Sequence, residues 1–374
     1  MLTAGVFAVA AFACGCTSDA ECSLLGACRA GVCECRPPWG GEHCEQLLLK
    51  PTRDAAGLNL LPSANTSTWG GDVLQLPNGT WCMVYSEFLY GCGVNSWLQN
   101  SVVRLAVSTT RSASGPYAPH SDIFGVFSHE PTLAHDARRN VTVMFFTHSA
   151  TPPTFCGTCH CATGNSTSDC PPDWDANGRN GSAPLLTYLS YSRDLVSWSR
   201  PRALLPQLDP YSDTAFQGVI LPNGSLVAMT RTQALVAADW NDTETYREVA
   251  RFKANAYGEG AHLWWDDNAA VLHLLSHDGD LMGTTCGKHW WSRDAVHWAT
   301  HGCAYQAKGV ATAGGGTVDF GRRERPHPVF DATGALVALS TAVTAMPTEC
   351  VGRPRCLYRW PDASYTLVQD TTNS

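Results

Sequence analysis

Five segments of the chain share one pattern of polar and hydrophobic positions. Each has a polar residue, an apolar strand, a turn containing Asn, Asp or Gly, and a second apolar strand, which predicts a β-hairpin. The turns at Asn78-Gly79 and Asn223-Gly224 are the strongest signals, because a type I′ turn needs positive φ at both central residues. The five hairpins open at Asp72, Glu130, Gln217, Glu259 and Arg325.

A second marker follows two of these hairpins. It reads Ser-x-Asp-x-x-x-Trp at residues 192–198 and 292–298, with a degenerate copy at residues 112–117. Five units in about 320 residues leave roughly 65 residues each, close to a four-stranded propeller blade with insertions. We therefore predict an all-β fold, a five-bladed β-propeller over residues 47–374. A β-sandwich is the competing arrangement, but it does not explain five similar hairpins at long spacing.

The N-terminal residues 1–13 are apolar and end in Ala-Phe-Ala, a pattern typical of a signal-peptidase site. This run is too short for a membrane span, which needs roughly 20 apolar residues. Seven Asn-x-Ser/Thr sequons also fit a secretory route. We therefore predict a cleaved signal peptide, secretion and no membrane insertion. The sequons are at Asn65, Asn78, Asn140, Asn165, Asn180, Asn223 and Asn241.

The chain has 17 cysteines, a density that indicates an oxidising compartment. Seven of them lie in residues 14–46, and Cys14 stands at the expected cleavage point, where it is either removed or left unpaired. The other six, from Cys16 to Cys44, have the spacing C-x5-C-x5-C-x4-C-x-C-x8-C, which resembles an EGF-like module. A module of this size needs disulfides because its core is too small, although another small knot has the same cysteine count. No acidic signature precedes Cys16, so we expect no calcium there. The resemblance implies the pairs Cys16 with Cys28, Cys22 with Cys33, and Cys35 with Cys44.

Ten cysteines remain beyond this module, and the even number favours complete pairing. Local bridges are expected between Cys82 and Cys92, Cys286 and Cys303, and Cys350 and Cys356. The other four lie in a Cys-rich insertion at residues 151–184. Its Cys-Gly-Thr-Cys-His run at residues 156–160 matches a haem-attachment pattern and resembles half of a zinc site. Because an oxidising compartment tends to convert such thiols to disulfides, a disulfide-stapled loop is favoured.

The net charge and the aromatic content of the chain limit the classes of molecule that it is expected to bind. The net charge is −8 and no run of Lys or Arg occurs, so nucleic acid and anionic membranes are not expected partners. Thirteen Trp and eleven Tyr suit stacking on sugars, although such rings also fill β cores. The expected partner is carbohydrate or an extracellular glycoprotein.

Several motifs of the chain together resemble glycoside hydrolase family 43 and its five-bladed superfamily. They are the hairpin openings, the Ser-x-Asp-x-x-x-Trp turns, Glu-Gly-Ala-His-Leu at residues 259–263 and Arg-Pro-His-Pro at residues 325–328. This resemblance implies that the first strand of each blade lines a central channel, so the residues that open the hairpins face one pocket.

The resemblance also implies catalytic roles. Inverting hydrolysis needs a base and an acid with carboxyl groups about 6.5 to 9.5 Å apart. Asp72 stands where the family has its base and Glu259 where it has its acid, and the apolar Leu263, Trp264 and Trp265 lead us to expect a raised pKa for Glu259. Gln217 stands where a third carboxylate is expected, so Glu130 or Asp213 would substitute.

The remaining channel residues are predicted to bind substrate. His327 lies where related enzymes place a central histidine, sometimes beside a water or metal. We expect no cofactor, although the resemblance leaves room for a calcium ion near His327. The charged run at residues 322–325 is either a solvated blade edge or a clamp for carboxylate or sulfate groups. The predicted substrate-binding residues are Gln217, Arg325, His327, Trp69 and His262.

Two functions remain open at this point. One is a secreted glycoside hydrolase, or lyase-like enzyme, acting on an arabinose-, xylose- or galactose-type polymer. The other is a noncatalytic lectin-like or adhesion propeller with the EGF-like module as a spacer, because polar channel residues can be hydrogen-bonded without being catalytic.

Overall fold

The computed structural model describes residues 15–149, 186–204, 215–277, 286–345 and 363–373. The predicted signal peptide, the Cys-rich insertion, Asp213 and the Cys350–Cys356 bridge lie outside these residues. Within them, no helix has the length and apolar character needed to cross a membrane.

The N-terminal module contains two small antiparallel hairpins. Three disulfides join Cys16 to Cys28, Cys22 to Cys33 and Cys35 to Cys44, the pairing that the EGF-like resemblance implies. The strands are β1 (Gly26–Arg29), β2 (Val32–Cys35), β3 (Trp39–Gly40) and β4 (Gln46–Leu47).

The predicted five-bladed β-propeller is confirmed. Its blades are antiparallel sheets whose strands follow chain order from the channel outwards. Blade 1 has β5 (Ser67–Gln75), β6 (Trp81–Phe88), β7 (Ser101–Ser108) and β8 (Tyr117–Phe124). Blade 2 has β9 (Ser128–Asp136), β10 (Val141–His148), β11 (Leu186–Ser192) and β12 (Arg202–Ala203). Blade 3 has β13 (Gln217–Ile220), β14 (Leu226–Met229), β15 (Gln233–Ala237) and β16 (Arg247–Arg251).

Blade 4 has β17 (Glu259–Asp266), β18 (Val271–His277), β19 (Cys286–Ser292) and β20 (Cys303–Gln306). A small hairpin of β21 (Val310–Ala311) and β22 (Thr317–Val318) precedes blade 5, which has β23 (Phe320–Phe330), β24 (Leu336–Ala345) and β25 (Ser364–Asp370). Two short helices, α1 (Leu61–Ala64) and α2 (Trp97–Asn100), lie in blade 1 connections. Leu58 pairs with Thr366 of β25, so a segment from before blade 1 joins the last blade and closes the ring.

The Ser-x-Asp-x-x-x-Trp marker forms the turn between the third and fourth strands in blades 2 and 4. In blade 2, Asp194 Oδ1 accepts the backbone N–H groups of Val196 and Ser197. These hydrogen bonds favour the ionised carboxylate and lower the pKa of Asp194 to about 2. Trp198 donates its indole N–H to the carbonyl of Leu195 and thereby completes the turn.

Apolar side chains pack between neighbouring blades. Val143, Phe145 and Leu189 of blade 2 form one buried cluster with Leu226 and Leu235 of blade 3. Similar clusters join the other blades because alternate residues of each strand point to opposite faces of the sheet. The blades therefore stack as a closed ring around the channel.

The module docks on the propeller through apolar contacts and one ion pair. Leu25, Trp39 and Leu47 share a buried cluster with Leu275 and Tyr305. Arg36 Nη2 lies 2.7 Å from Asp266 Oδ2 of β17. The module is therefore packed against blade 4 and not held only by its linker.

The predicted bridge between Cys82 and Cys92 is wrong, and so is complete pairing of the ten propeller cysteines. Cys82 is a free thiol, 3 % exposed, on the central strand β6. It packs among Val84, Val103 and Leu105, whereas Cys92 lies past the far end of that strand and is disulfide-bonded. The predicted bridge between Cys286 and Cys303 is present.

Candidate functional site

The innermost strands of blades 1, 2, 4 and 5 each contain a β-bulge, in which two residues face one residue of the next strand. The pairing register shifts between Trp69 and Asp72 in blade 1, between Glu259 and His262 in blade 4, and between Glu324 and His327 in blade 5. Blade 2 shows the same shift, and blade 3 begins with an equivalent kink. The first residue of each bulge, and Ala215 before β13 in blade 3, has φ between 43° and 60°; the five residues are Gly70, Glu130, Ala215, Gly260 and Arg325.

This repeated bulge changes which residues are equivalent. The side chains two residues after the positive-φ residue occupy the same position in the five blades. Glu130 and Arg325 instead occupy the bulge itself, and Glu259 precedes it. The hairpin openings predicted as one equivalent set therefore belong to three different positions. The equivalent set is Asp72, Thr132, Gln217, His262 and His327.

Asp72 lies at the centre of the channel and is 6 % exposed. Its Oδ2 accepts the backbone N–H of Leu133 at 2.7 Å and lies 3.4 Å from His327 Nδ1 and 4.0 Å from His262 Nδ1. Burial raises the pKa of Asp72, but the two imidazoles and the N–H of Leu133 outweigh it and hold that pKa below its ordinary value. Asp72 is therefore an ionised carboxylate inside the fold.

The two histidines beside Asp72 come from blades 4 and 5. Their ring centroids are 4.7 Å apart. Burial lowers the pKa of His262 to about 4, although the Asp72 carboxylate opposes this shift. His262 is therefore neutral near pH 7. The structure thus brings together Asp72, His262 and His327 from the predicted set.

Glu130 and Arg325 form an ion pair between Oε1 and Nη2, and both side chains are more than nine-tenths buried. His129 Nε2 lies 3.2 Å from the same carboxylate oxygen. The Arg325 side chain passes over Gly260, where an added Cβ would lie 2.6 Å from Arg325 Cδ. One oxygen of the Glu130 carboxylate is therefore already engaged by Arg325 and His129.

The predicted charged run at residues 322–325 is neither a solvated edge nor a clamp at the mouth. Arg323 is 1 % exposed, donates to the carbonyl of Gln306 and to Gln369 Oε1 at 2.7 Å each, and lies over the Tyr305 ring. Burial lowers the pKa of Arg323 to about 10. Arg323 and Arg325, two of the three arginines of this run, are therefore buried inside the fold.

The structure places the remaining predicted site residues in different surroundings. Trp69 is 2 % exposed and packs against Phe88, Cys92 and Ala342, so the structure places it in the core, and its predicted substrate-binding role stays a prediction. Gln217 is buried at the start of β13. The backbone of Glu259 pairs with His277 at the start of β17, and its side chain lies outside the part of the chain that the structure describes.

The aromatic rings that follow Glu259 make contacts further along β17. Trp264 stacks on His273 at 5.2 Å, and Trp265 donates its indole N–H to Asp267. Both are five or six residues further along β17, about 16 Å or more in an extended strand. The raised pKa of Glu259 stays a prediction, because its side chain lies outside the part of the chain that the structure describes.

A cavity of about 480 Å³ reaches from this centre along the inner strands of blades 1, 2 and 5. Asp72 and His262 line it near the bulges, and Pro77 and Ala332 line it near the hairpin turns. His135, Arg193 and Phe330 also line it, and sequence reasoning missed them. The hairpin pattern gives no signal that these residues line a cavity, because a repeat of local hairpins does not show which turn of one blade approaches which strand of another.

No family sequence model and no curated protein matches the chain. Several solved structures do match the fold of this chain. A GH62 hydrolase in complex with xylotriose gives a TM-score of 0.54 at 9 % identity, covering 87 % of this chain and 97 % of that one. A family 117 glycoside hydrolase from the marine bacterium Zobellia galactanivorans gives 0.50 at 10 % identity, covering 87 % and 89 %.

A protein of unknown function from Dyadobacter fermentans gives a TM-score of 0.50 at 13 % identity, covering 82 % of this chain and 95 % of that one. Similarity at these identities concerns the fold. The predicted resemblance is therefore confirmed as a shared five-bladed β-propeller, found also in glycoside hydrolases of families 62 and 117.

Proposed function

We propose that this protein is a secreted glycoside hydrolase that cleaves a polysaccharide with inversion at the anomeric carbon. The observation that carries this proposal is the buried, ionised carboxylate of Asp72 beside a cavity of about 480 Å³ at the propeller centre. A ligand site made of a few convergent polar groups in a concave, partly apolar pocket is the usual form of a small-molecule site.

Asp72 acts as the general base in this proposal. Its lowered pKa keeps it ionised at neutral pH, and the N–H of Leu133 fixes its orientation. The carboxylate accepts a proton from a water molecule as the water oxygen bonds to the anomeric carbon. The bond between that carbon and the leaving oxygen breaks in the same step.

Glu259 acts as the general acid that protonates the leaving oxygen. Its backbone lies three residues before His262, whose Nδ1 is 4.0 Å from Asp72 Oδ2, so the acid belongs to the strand that reaches the same centre. Glu130 is the weaker candidate because Arg325 pairs with it.

The substrate class and the secreted location are also proposals. The GH62 neighbour was solved with xylotriose, which supports testing xylose-type polymers first. Four described disulfides support an oxidising compartment. The sequon residues Asn78, Asn140 and Asn223 are exposed at hairpin turns, where a glycan can be accommodated.

The test is release of reducing sugar from xylan, arabinan and galactan, with the anomeric configuration of the first product followed by NMR. Asp72→Asn and Glu259→Gln should each lower kcat by about 100-fold or more, as expected for loss of a general base or acid. Glu244→Gln, on an exposed turn, is the matched control and should keep full activity. Full activity of either site variant would remove that residue from its role.

A second function is favoured by a separate cavity of about 540 Å³ between the EGF-like module and the propeller. Leu47, Tyr305 and Lys308 line it, away from Asp72. This cleft would suit a noncatalytic protein that binds glycan or an extracellular glycoprotein. A wild-type chain that binds a glycan array but releases no sugar, and loses binding in Lys308→Ala, would favour this alternative.

A further inference from the structure

The cleft between the EGF-like module and the propeller has an excess of positive charge. The acid that lines it, Glu45, already accepts the backbone N–H of His43 at 2.9 Å and the amide N–H of Gln46 at 3.2 Å, both within the module. Two permanent cations line the same cleft, so an anionic ligand is favoured there. The ionisable side chains around this cavity of about 540 Å³ are Glu45, His301, Tyr305, Lys308 and Arg323.

Arg323 is a cation that the described part of the protein does not neutralise. It is 1 % exposed, and its terminal nitrogens donate to two neutral acceptors, the carbonyl of Gln306 and Oε1 of Gln369, at 2.7 Å each. None of the ion pairs among the described residues includes Arg323. Because buried charges in proteins are normally paired, a counter-ion is expected beside this guanidinium.

Two donor groups of the same wall also lack acceptors. Tyr305 Oη and Arg323 Nε are buried and have no hydrogen-bond partner among the described residues. The guanidinium lies over the Tyr305 ring, 5.0 Å from its centroid, so the two donors belong to one wall of the cleft. Buried polar groups are nearly always hydrogen-bonded. Two unfilled donors beside a cation match the two oxygens of a carboxylate.

This wall is held in place by neighbouring contacts. Gln369, which orients Arg323, also donates its amide N–H to the carbonyl of Lys50 at 2.6 Å. The Tyr305 ring rests on Gly287, where an added Cβ would overlap Tyr305 Cε1. The cation and the phenol are therefore oriented before a ligand arrives, which lowers the entropy cost of binding.

The rest of the cleft suits a sugar ring. Its volume of about 540 Å³ is typical of small-molecule sites, and Leu47 and Val310 give it apolar surface beside the polar side chains of Gln46, Gln306 and Thr372. The cavity that contains Asp72 shares no lining residue with it. We propose that this cleft binds the carboxylate of a uronic acid residue in an acidic glycan. The choice of a glycan rests on the binding function proposed above, whereas the preference for an anion does not.

A pair of matched ligands tests the anion. Purified wild-type protein is titrated by calorimetry with trigalacturonate and with its fully methyl-esterified form, which keeps the sugar rings and removes the charges. We expect one trigalacturonate per chain and an affinity for the ester that is lower by at least about tenfold, since the ester leaves Arg323 without a counter-ion. Added NaCl should weaken the binding of trigalacturonate.

Three variants locate the site. Lys308→Glu reverses a charge at the exposed rim of the cleft and should weaken trigalacturonate binding by at least about tenfold. Lys253→Glu is the matched control, because Lys253 is also exposed but lies outside the cleft. Tyr305→Phe removes only the hydroxyl and should weaken the binding of trigalacturonate more than that of its ester.

Several outcomes would overturn the proposal. They are no binding of trigalacturonate, equal affinity for it and its ester, or equal losses in Lys308→Glu and Lys253→Glu. Binding of triglutamate as tight as that of trigalacturonate would show that the cleft does not recognise a sugar. If Tyr305→Phe does not fold, the ester and the two exposed lysines still decide the matter. Binding of neutral glycans alone would contradict this inference and leave the binding function proposed above intact, and sugar release is measured separately.

Discussion

Arg325 of blade 5 forms a buried ion pair with Glu130 of blade 2, and both residues have φ of 53° at the bulge of their inner strands. The same bulge that places Asp72 and the two histidines at the centre therefore also places this pair. Because the guanidinium passes over Gly260, three blades are connected by one side chain. The pair thus contributes to the shape of the site while remaining outside its proposed chemistry.

Breaking this ion pair should destabilise the protein. Arg325→Met leaves the Glu130 carboxylate buried without its guanidinium and is expected to lower the free energy of unfolding by about 3–5 kcal/mol. The double variant Glu130→Gln/Arg325→Met should recover more than half of the loss, because the buried charge is also removed. Urea denaturation measures both values. Strictly additive effects of the two single changes would contradict the coupling.

Gly260 is expected to be intolerant of any side chain. An added Cβ would lie 2.6 Å from Arg325 Cδ and 3.0 Å from His277 Cε1. Gly260→Ala should cost about 1–3 kcal/mol more than Gly79→Ala because of this overpacking. Gly79 is the matched control, since it also has positive φ but its added Cβ meets no atom within 4 Å. Equal melting temperatures of the two variants would show that the Arg325 side chain follows another path.

Trp39 should anchor the EGF-like module on the propeller. It is 6 % exposed and its ring lies 5.1 Å from that of His289 in blade 4. Trp39→Ala is expected to lower stability by about 3–5 kcal/mol and to expose the module to limited proteolysis. Val32→Ala, at a side chain 66 % exposed, is the control and should change neither. Unaltered proteolysis of Trp39→Ala would mean that the docking does not depend on this ring.

Acidification below about pH 6.5 should destabilise the fold through its buried histidines. His273 and His289 share a hydrogen bond of 2.9 Å inside blade 4. Burial lowers the pKa of His273 to about 3, although Asp266 opposes this shift, and it also holds the pKa of His289 well below its ordinary value. The groups that face the pair include Asp266, the cation of Arg36 and His301.

The direction of this change in stability follows from proton uptake. Above about pH 6.5 these histidines are neutral in both states, but below it the unfolded chain binds protons that the folded chain does not, so stability falls by up to about 1.4 kcal/mol per pH unit for each group. Denaturation between about pH 7.5 and 4.5 measures this slope, and that window lies above the pKa of Asp266. His273→Gln should reduce the slope by about one proton, whereas the exposed control His297→Asn should not. An identical slope in both variants would exclude His273 as a contributor.

Cys82 should be unreactive in the folded protein. Burial raises the pKa of its thiol, and the surrounding Val84, Val103 and Leu105 exclude reagents. Alkylation by iodoacetamide at about pH 8, followed by peptide mass spectrometry, should modify Cys82 only after denaturation. Rapid labelling of the native protein, or recovery of Cys82 in a disulfide-linked peptide, would contradict the assignment of a free core thiol.

The sequence by itself determined the number of blades and the nature of the N-terminal module. Hairpin signals such as Asn78-Gly79 are local, since turn geometry depends on a few adjacent residues, and the Asp194 turn is equally local. Cysteine spacing was informative for the module because its disulfides close short loops. Spacing failed for Cys82 and Cys92, because burial of Cys82 between blades depends on strands distant in sequence.

Only the tertiary structure decided which residues meet at the centre. A bulge inserts one residue and reverses the alternation after it, so the sequence pattern does not show that His262, and not Glu259, is the equivalent of Asp72. The pairing of Arg325 with Glu130 and the burial of Trp69 likewise depend on contacts between different blades. Those contacts arise from ring closure, and no short stretch of the chain encodes them, which is why the site's chemistry became visible only in three dimensions.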